Sequence, residues 1–284
     1  MTLPSVGIGL PVYNNARYIA SALDSILAQR YTNITVYLSD DGSNDGTAEI
    51  CLDYAKKDQR IQFSSNETNL GAIGNHRKVL ELANTDFFMF ARGHEILPEN
   101  LVKDGIAVLE SDPEIVLAFE TTRWIDENDN ILKDKHLCYF DTRGCDVVSR
   151  CALVYWGKYE YFYGLTRTQT MKKIRALEEV IGHDLIMLLE MALIGSFAHI
   201  NTGIRLRRYT YANETYSDRM MRYRRTTLKK NSFIDRIFPL ARLPLFLFGS
   251  ILSSEVAFRD KILIAIITLF SAPIKYIISR GKTF

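Results

Sequence analysis

Short apolar runs alternate with amphipathic segments over the amino-terminal part of the chain. The runs SVGIGLPVY, ITVYL (Ile34–Leu38), IQFSSN and DFFMFA each have the length of a buried strand. Between them, NARYIASALDSILAQ, TAEICLDYAKKD and GNHRKVLELA carry apolar residues at helical spacing. Strands that alternate with helices of about 10–15 residues predict a parallel sheet with helices on both faces.

Every one of these predicted strands ends in polar or turn-forming residues. The carboxyl ends of parallel strands meet at one edge of a sheet, and ligands bind there in folds of this class. The sequence therefore predicts one shared binding edge, built from Pro11–Asn14, Asp40–Asp45, Asn66–Asn69 and Arg92–Glu95.

The second half of the chain is less regular. NLVKDGIAVLESDP predicts a helix, and IVLAFETTRWID and NILKDKHL predict two strands around the turn ENDN. HDLIMLLEMALIGSF predicts another helix, with an apolar stripe and Gly195 as its stop.

An apolar tail with scattered basic residues begins near Asn231, after a stretch rich in Lys and Arg from Arg205 to Lys230. Pro239, Pro244 and Pro273 interrupt the tail, and its uncharged runs are shorter than the ~20 residues of a membrane span. We therefore expect helices that lie in the interface of an anionic membrane. A helical homodimer interface or a cap on the core is the alternative.

Composition narrows the class of protein. The chain has 284 residues, and its net charge of +2 gives no reason to expect a nucleic-acid partner. Its four cysteines include no CxxC pair, so free thiols are expected rather than a zinc site. The amino terminus lacks the basic region and long apolar core of a secretory signal, which predicts a reducing cytoplasm.

VGIGLPVYNNARYIASALDSILAQRY, followed by VYLSDDGSNDGT and NLGAIGNHRKVLELANTDFFMF, resembles the opening of the family-2 inverting glycosyltransferases. The resemblance covers about residues 5–210 and does not reach the tail. It implies an α/β fold of the GT-A type, with a mostly parallel sheet and helices on both faces, over residues 1–228. Residues 229–284 would form the membrane-associating or dimerising helical tail.

The resemblance also implies an activity. A sugar would pass from a nucleotide-sugar donor to a glycan acceptor in polysaccharide biosynthesis. Together with the tail, it predicts a lipid-linked acceptor at the cytoplasmic, inner face of the cell membrane.

Several residues fall on the part of the family pattern that holds the nucleotide. Asp40 would accept a hydrogen bond from the base, with Asp41 beside it, and a carboxylate suits the N–H edge of uracil, thymine or guanine in UDP-, dTDP- or GDP-linked donors. Capping of the turn is the alternative role for these two acids. Arg77 is either a phosphate contact or a solvated side chain. The other nucleotide-binding candidates are Pro11, Tyr13, Asn14, Asn69, Gly71, Asn75 and Arg92.

The segment ARGHE departs from the family, which carries an acid-x-acid motif here that grips a divalent metal. Arg92 falls on the first acid, His94 on the second and Glu95 on a third. Three alternatives remain: His94 and Glu95 ligate Mn²⁺ or Mg²⁺, Arg92 binds the diphosphate in place of the metal, or the site is inactive.

By the same resemblance, Asp184 at the start of HDLIMLLEMALIGSF is the catalytic base, although an acid there also suits helix capping. Arg207 and Arg208 could meet a diphosphate or a lipid headgroup. Candidate contacts to the acceptor or the sugar are Tyr163, Gly164, Arg167 and His183.

Two rival functions remain. A nucleotidyltransferase would use a loop rich in glycine and bearing lysine after the first strand, and LPVYNN has neither residue. A degenerate domain that binds a nucleotide sugar or a partner protein without catalysis remains compatible with ARGHE.

Overall fold

The structure is a computed structural model that describes residues 3–132, 140–157, 162–175, 177–209, 218, 240 and 242–281. For residue 202 and residues 272–281 it describes the backbone alone. Part of the predicted strand NILKDKHL, most of the basic stretch before the tail, and Pro239 lie outside the described residues.

The main sheet has five strands in the order β3-β2-β1-β4-β7. Its first four strands are parallel, and the short β7 pairs antiparallel with β4. The predicted parallel sheet is therefore confirmed, and β7 is an addition. The strands are β1 (Val6–Val12), β2 (Ile34–Asp40), β3 (Ile61–Ser65), β4 (Phe87–Phe90) and β7 (Thr166–Arg167).

Alternating side chains of these strands face two different hydrophobic cores. Phe88 and Phe90 of β4 face one core, whereas Phe87 and Met89 face the other. This period of two, with both faces apolar, is what a sheet covered by helices on both sides requires. The helix α3 (Gly71–Leu82) contributes to the core that contains Phe88 and Phe90, and the helices α1 (Ile19–Leu27), α2 (Thr47–Lys57) and α4 (Leu101–Ser111) contribute to the other core.

A second sheet of three strands lies beside the first, in the order β5-β8-β6. It comprises β5 (Glu95–Ile96), β6 (Ile115–Ile125) and β8 (Ser196–Arg208), with β8 antiparallel to β5 and parallel to β6. The predicted strand IVLAFETTRWID is β6, whereas β8 was not predicted. The register of β6 against β8 shifts between Glu120 and Thr121.

The remaining helices are α5 (Val147–Trp156), α6 (Thr168–Lys173), α7 (His183–Ile194), α8 (Leu243–Ser253) and α9 (Phe258–Gly281). Every residue of α7 from Leu185 to Leu193 is buried, so this helix runs through the core rather than along its surface. Gly195 follows its last residue, as the sequence predicts.

The described part of the tail packs onto this core. Leu247 and Ile251 of α8 and Ile264 of α9 are fully buried in the core that contains α7. Ser250 of α8 donates a hydrogen bond of 2.5 Å to the buried carboxylate of Glu190 in α7. Large apolar side chains nevertheless remain exposed on the outer face of these helices: Leu245, Leu252, Phe258, Ile262, Ile266, Leu269 and Phe270.

Among the described helices, none combines the length and the apolar character that a membrane crossing needs.

Candidate functional site

The first wall of the site follows β2, where two adjacent acids are almost fully buried. Asp40 accepts hydrogen bonds from the backbone of Gly42 and Ser43, at 3.2 and 3.1 Å, and from the hydroxyls of Ser43 and Ser65, at 2.5 and 3.2 Å. These bonds occupy both oxygens of the carboxylate. In this structure Asp40 therefore holds the turn in shape, which is the capping role.

Asp41 ties the turn after β2 to the loop after β3. Its Oδ1 accepts from Asn66 Nδ2 at 2.8 Å and from the backbone of Leu70 at 2.7 Å. Asn69 Nδ2 donates to the backbone oxygen of Asp41 at 2.9 Å. Gly71 then begins α3 with φ of +76°, a conformation that glycine adopts without strain. The loops after β2 and β3 thus form one continuous wall.

Asn75 on α3 contacts the end of β2 next to this wall. Its side chain is buried and donates to the backbone oxygen of Ser39 at 2.8 Å. Arg77, two residues further along α3 and exposed, donates to the backbone oxygen of Leu177 at 2.6 Å. In this structure Arg77 binds a loop carbonyl, which accounts for its position without a phosphate.

The loop after β1 faces the same wall. Pro11 lies opposite Ser39 in the register of β1 and β2. Asn14 adopts φ of +51°, and its Oδ1 accepts from the backbone of Asn44 at 3.1 Å. Tyr13 is half exposed beside it, so its ring is available to a planar group at this edge.

The ARGHE turn follows β4 and contains a buried cluster of charges. Glu95 is almost fully buried, and its carboxylate lies 2.5 Å from Nε of Arg207, 3.0 Å from Nη1 of Arg205 and 3.9 Å from Nε of Arg92. Burial alone would raise the pKa of Glu95, but the charges of Arg207, Arg205 and Arg92 lower it to about 2. Glu95 is therefore an ionised counter-ion for arginines.

Two further residues complete this cluster. Glu120 of β6 forms an ion pair with Nε of Arg205. Nη2 of Arg205 donates to the backbone oxygen of Tyr163 at 2.9 Å. Arg205 and Glu120 were not identified from the sequence. For Arg205 the signal is the alternation of Arg205 and Arg207 in β8, because both of these side chains are buried.

These residues do not fit a divalent metal. Both oxygens of Glu95 already accept from arginines, and the guanidinium of Arg92 lies close enough to repel a cation. Burial, with the charge of Arg92, lowers the pKa of His94 to about 4, so its imidazole is neutral. The neighbouring carboxylate, that of Glu95, is already paired with arginines and so does not form a metal site with His94. Across the described ranges, no group of three or more His, Cys, Asp or Glu side chains could hold a metal ion.

The predicted base lies at the start of α7. Gly182 precedes the helix with φ of +94°, and Asp184 is half buried in its first turn. Oδ1 of Asp184 accepts only from the backbone of the adjacent Leu185, at 3.0 Å, among the described residues. The helix amino terminus stabilises a carboxylate at this position.

An aromatic bridge joins the start of α7 to β4. The ring of Phe162 stacks on Phe90 at 5.5 Å and meets the ring of His183 edge-on at 5.8 Å. Burial lowers the pKa of His183, and the positive charge of Arg92 acts in the same direction. The fold therefore brings Asp184 and Arg92 to the same edge of the sheet.

The remaining candidates for contact with the acceptor or the sugar lie in different places in the structure. Tyr163 lies in the site, but its ring is buried between arginines. Gly164 allows a close approach of strands, because a Cβ there would lie 2.8 Å from the backbone oxygen of Ala118. Arg167 pairs with Phe87 at the amino-terminal end of β4 and donates to the backbone oxygens of Ile115 and Leu109. It therefore serves the fold and lies away from the predicted edge.

Comparison with known proteins identifies the family of this site. A family model described as "Glycosyl transferase family 2" matches residues 8–176. Glycosyltransferase GlyG of Streptococcus pneumoniae is 28% identical over 113 residues, which are 39% of this chain and 38% of that protein. An uncharacterised glycosyltransferase of Methanocaldococcus jannaschii is 31% identical over 137 residues, 47% of each chain. This chain thus matches less than half the length of either relative.

Solved structures show the same fold. The crystal structure of Staphylococcus aureus TarS 1–349 in complex with UDP-GlcNAc has a TM-score of 0.68 and 15% sequence identity, and the match covers 94% of this chain and 72% of that one. The complex of TarS 1–349 with UDP has a TM-score of 0.65 and 15% identity, over 93% of this chain and 70% of that one. These similarities confirm the predicted GT-A fold.

Proposed function

We propose that this chain, which belongs to glycosyl transferase family 2, transfers a sugar from a nucleotide-sugar donor to a glycan acceptor with inversion at the anomeric carbon. The observation that carries the proposal is the meeting of three groups at one sheet edge. These are the nucleoside wall around Asp41, the partly exposed Arg92 after β4, and Asp184 at the start of α7.

The nucleoside would lie between the loop after β1 and the wall after β2. Tyr13 offers an exposed ring on which a base can stack. Oδ1 of Asp41 is occupied by the wall, whereas Oδ2 has no hydrogen bond among the described residues and can accept from the N–H edge of a base. The TarS complexes with UDP-GlcNAc and UDP support a nucleotide sugar as donor, and UDP-, GDP- and dTDP-linked sugars all present such an edge.

Arg92 would stabilise the diphosphate as it leaves. A guanidinium binds phosphate oxygens through a rigid pair of donors and needs no cofactor. Binding of Mn²⁺ or Mg²⁺ by His94 and Glu95 would require Glu95 to give up Arg205 and Arg207. We therefore favour Arg92 over the metal for this role.

Asp184 would remove the proton from the acceptor hydroxyl. The hydroxyl oxygen forms a bond to the anomeric carbon as the bond from that carbon to the diphosphate oxygen breaks. The proton passes to the carboxylate of Asp184, and the nucleoside diphosphate leaves with the bonding electrons. One displacement inverts the anomeric centre without a covalent intermediate.

The acceptor would be a lipid-linked glycan of the cell envelope, met at the inner face of the membrane. The exposed apolar side chains of α8 and α9, Phe258 and Phe270 among them, suit contact with the interfacial region of a bilayer. Formation of a homodimer through this face is the alternative, and vesicle binding with measurement of mass in solution separates the two.

The experiment that tests the activity compares Asp184→Asn with Asp104→Asn, which changes an acid in the first turn of α4 instead. Asp184→Asn should abolish transfer and preserve the thermal shift by UDP-, GDP- or dTDP-sugars, whereas Asp104→Asn should retain both. Full transfer by Asp184→Asn would refute the mechanism. Donor binding by the unaltered protein, with neither transfer nor hydrolysis, would instead establish the binding domain without catalysis.

A further inference from the structure

Arg92 and Arg207 share one aromatic ring. The guanidinium carbon of Arg92 lies 4.2 Å from the centroid of the Tyr163 ring, and that of Arg207 lies 5.1 Å from the same centroid. Tyr163 is 7% exposed. Its ring is therefore engaged by cations, which leaves little of it to stack on a sugar.

Two like charges on one ring need a counter-ion, and Glu95 supplies it. The Glu95 carboxylate pairs with Arg207 at 2.5 Å and faces Nε of Arg92 at 3.9 Å. Arg205 fixes the other side of the arrangement, since it binds both the Glu95 carboxylate and the backbone oxygen of Tyr163. The ring and the carboxylate are thus locked to each other, and Arg92 rests against both.

The side chains of this cluster differ in how far solvent reaches them. Arg92, Arg205 and Arg207 face the carboxylates of Glu95 and Glu120. The side chain of Arg92 is 34% exposed, whereas those of the other four residues are at most 3% exposed. Of these five side chains, Arg92 is therefore the one that an anion from solvent can reach.

We infer that Tyr163 and Glu95 are positioning residues that hold the Arg92 guanidinium in place as a fixed cation for the donor diphosphate. This inference rests on the proposed function and names the groups that make Arg92 effective in it. A free arginine side chain loses rotamer freedom when it binds, and a side chain already held by a ring and a carboxylate loses less. The cluster thus presents to the diphosphate a guanidinium that is already held in place.

The test compares nucleoside diphosphates with the matching monophosphates, using UDP and UMP, GDP and GMP, and dTDP and dTMP, by calorimetry in EDTA. The unaltered protein should prefer one diphosphate over its monophosphate. Tyr163→Leu should lower that preference about tenfold and leave monophosphate affinity unchanged, because it removes the cation–π contact and spares the nucleoside wall. Tyr163→Phe, which keeps the ring, should restore the preference.

Arg92→Lys provides a second variant, at a side chain that is partly exposed and with the charge beside Glu95 retained, so this variant should fold. It keeps the charge but loses the planar fork, and the preference for the diphosphate should fall about tenfold in the same way. Addition of Mn²⁺ should not restore the preference in either variant.

Three results would overturn the inference. An unchanged preference for the diphosphate in both Tyr163→Leu and Arg92→Lys would refute the positioning role of Tyr163 and Glu95, and would leave the proposed function intact. An equal loss of monophosphate and diphosphate binding would show a general structural role for the ring. If the unaltered protein bound none of the three diphosphates, the proposed function would fail and the inference with it.

Discussion

Nε of Arg207 lies 2.5 Å from the carboxylate of Glu95, although 112 positions separate the two residues along the chain. Glu95 begins β5 and lies opposite Arg207 in the register of β5 and β8, so the ion pair joins two strands of the second sheet just after β4 ends. Glu95 lies on the stretch that resembles a metal-binding motif, yet its partners are guanidinium groups. In this structure the Glu95 carboxylate is therefore a counter-ion for arginines.

Removal of this carboxylate should destabilise the protein strongly. Glu95→Ala removes the carboxylate that pairs with both of the buried arginines Arg205 and Arg207, and breaking a buried pair in this way costs about 3–5 kcal/mol. Urea denaturation measures the loss of unfolding free energy. Glu99→Ala is the matched control, because the ion pair of Glu99 with Arg30 is exposed and should contribute less than about 1 kcal/mol. Equal losses in the two variants would contradict the assignment of Glu95 as a structural counter-ion.

Stability should fall as the pH is lowered from 7 toward 4. Burial lowers the pKa of His76 to about 3 and that of His94 to about 4, from an ordinary value of 6.5. Below pH 6.5 the unfolded chain therefore binds protons that the folded protein does not, and protonation favours unfolding. Each such histidine should lower the unfolding free energy by up to about 1.4 kcal/mol per pH unit in this window.

Thermal unfolding in a series of buffers measures this slope, and His94→Gln should flatten it. Glu95 acts in a lower window, because its pKa falls from 4.5 to about 2 on folding. Its contribution to stability is complete above pH 4.5 and is lost as the pH falls toward 2. A protein equally stable at pH 7 and pH 5 would contradict the assignment of His76 and His94 as neutral in the folded protein.

Two glycines with the same backbone conformation provide a test of the contact between the start of α7 and α8. Gly182 and Gly46 both precede a helix and both have φ of +94°. A Cβ at Gly182 would lie 2.9 Å from Leu243 of α8, whereas a Cβ at Gly46 would meet nothing within 4 Å. Both alanine variants carry the backbone strain, about 1 kcal/mol, and only Gly182→Ala adds the clash.

Calorimetry should therefore show that the unfolding free energy of Gly182→Ala is lower than that of Gly46→Ala by about 1–3 kcal/mol. It should also lower the turnover number by displacing Asp184, which begins the same helix turn. If the two variants had equal melting temperatures, the contact between α8 and the start of α7 would not be as close as described.

The outer face of α8 and α9 should bind anionic vesicles. Phe258 is 77% exposed and Phe270 is 62% exposed, so replacing both with serine removes apolar surface without disturbing the core. The double variant should show several-fold weaker co-sedimentation with vesicles that contain phosphatidylglycerol. Light scattering on both proteins is the control for oligomeric state. A change from dimer to monomer, with no vesicle binding by either protein, would favour the dimer interface instead.

The amino-acid sequence by itself determined the parallel sheet, the polar edge and the helix that begins at His183. These features depend on the period of apolar residues and on turn-forming residues close by in the chain, and both are visible locally. The strand β8 was missed because SFAHINTGIRLRR mixes polar and apolar positions, and its pairing partners β5 and β6 are far away in sequence.

Only the tertiary structure decided what the polar residues of the site contact. Asp40 closes its own turn, Arg167 lies at the far end of β4, and Glu95 binds arginines that arrive from β8. The type of a residue limits the chemistry that its side chain can perform. Its burial and the charges next to it then determine which contacts it makes. Those neighbours come from distant segments, and the packing of two sheets and the helices around them is what places them together.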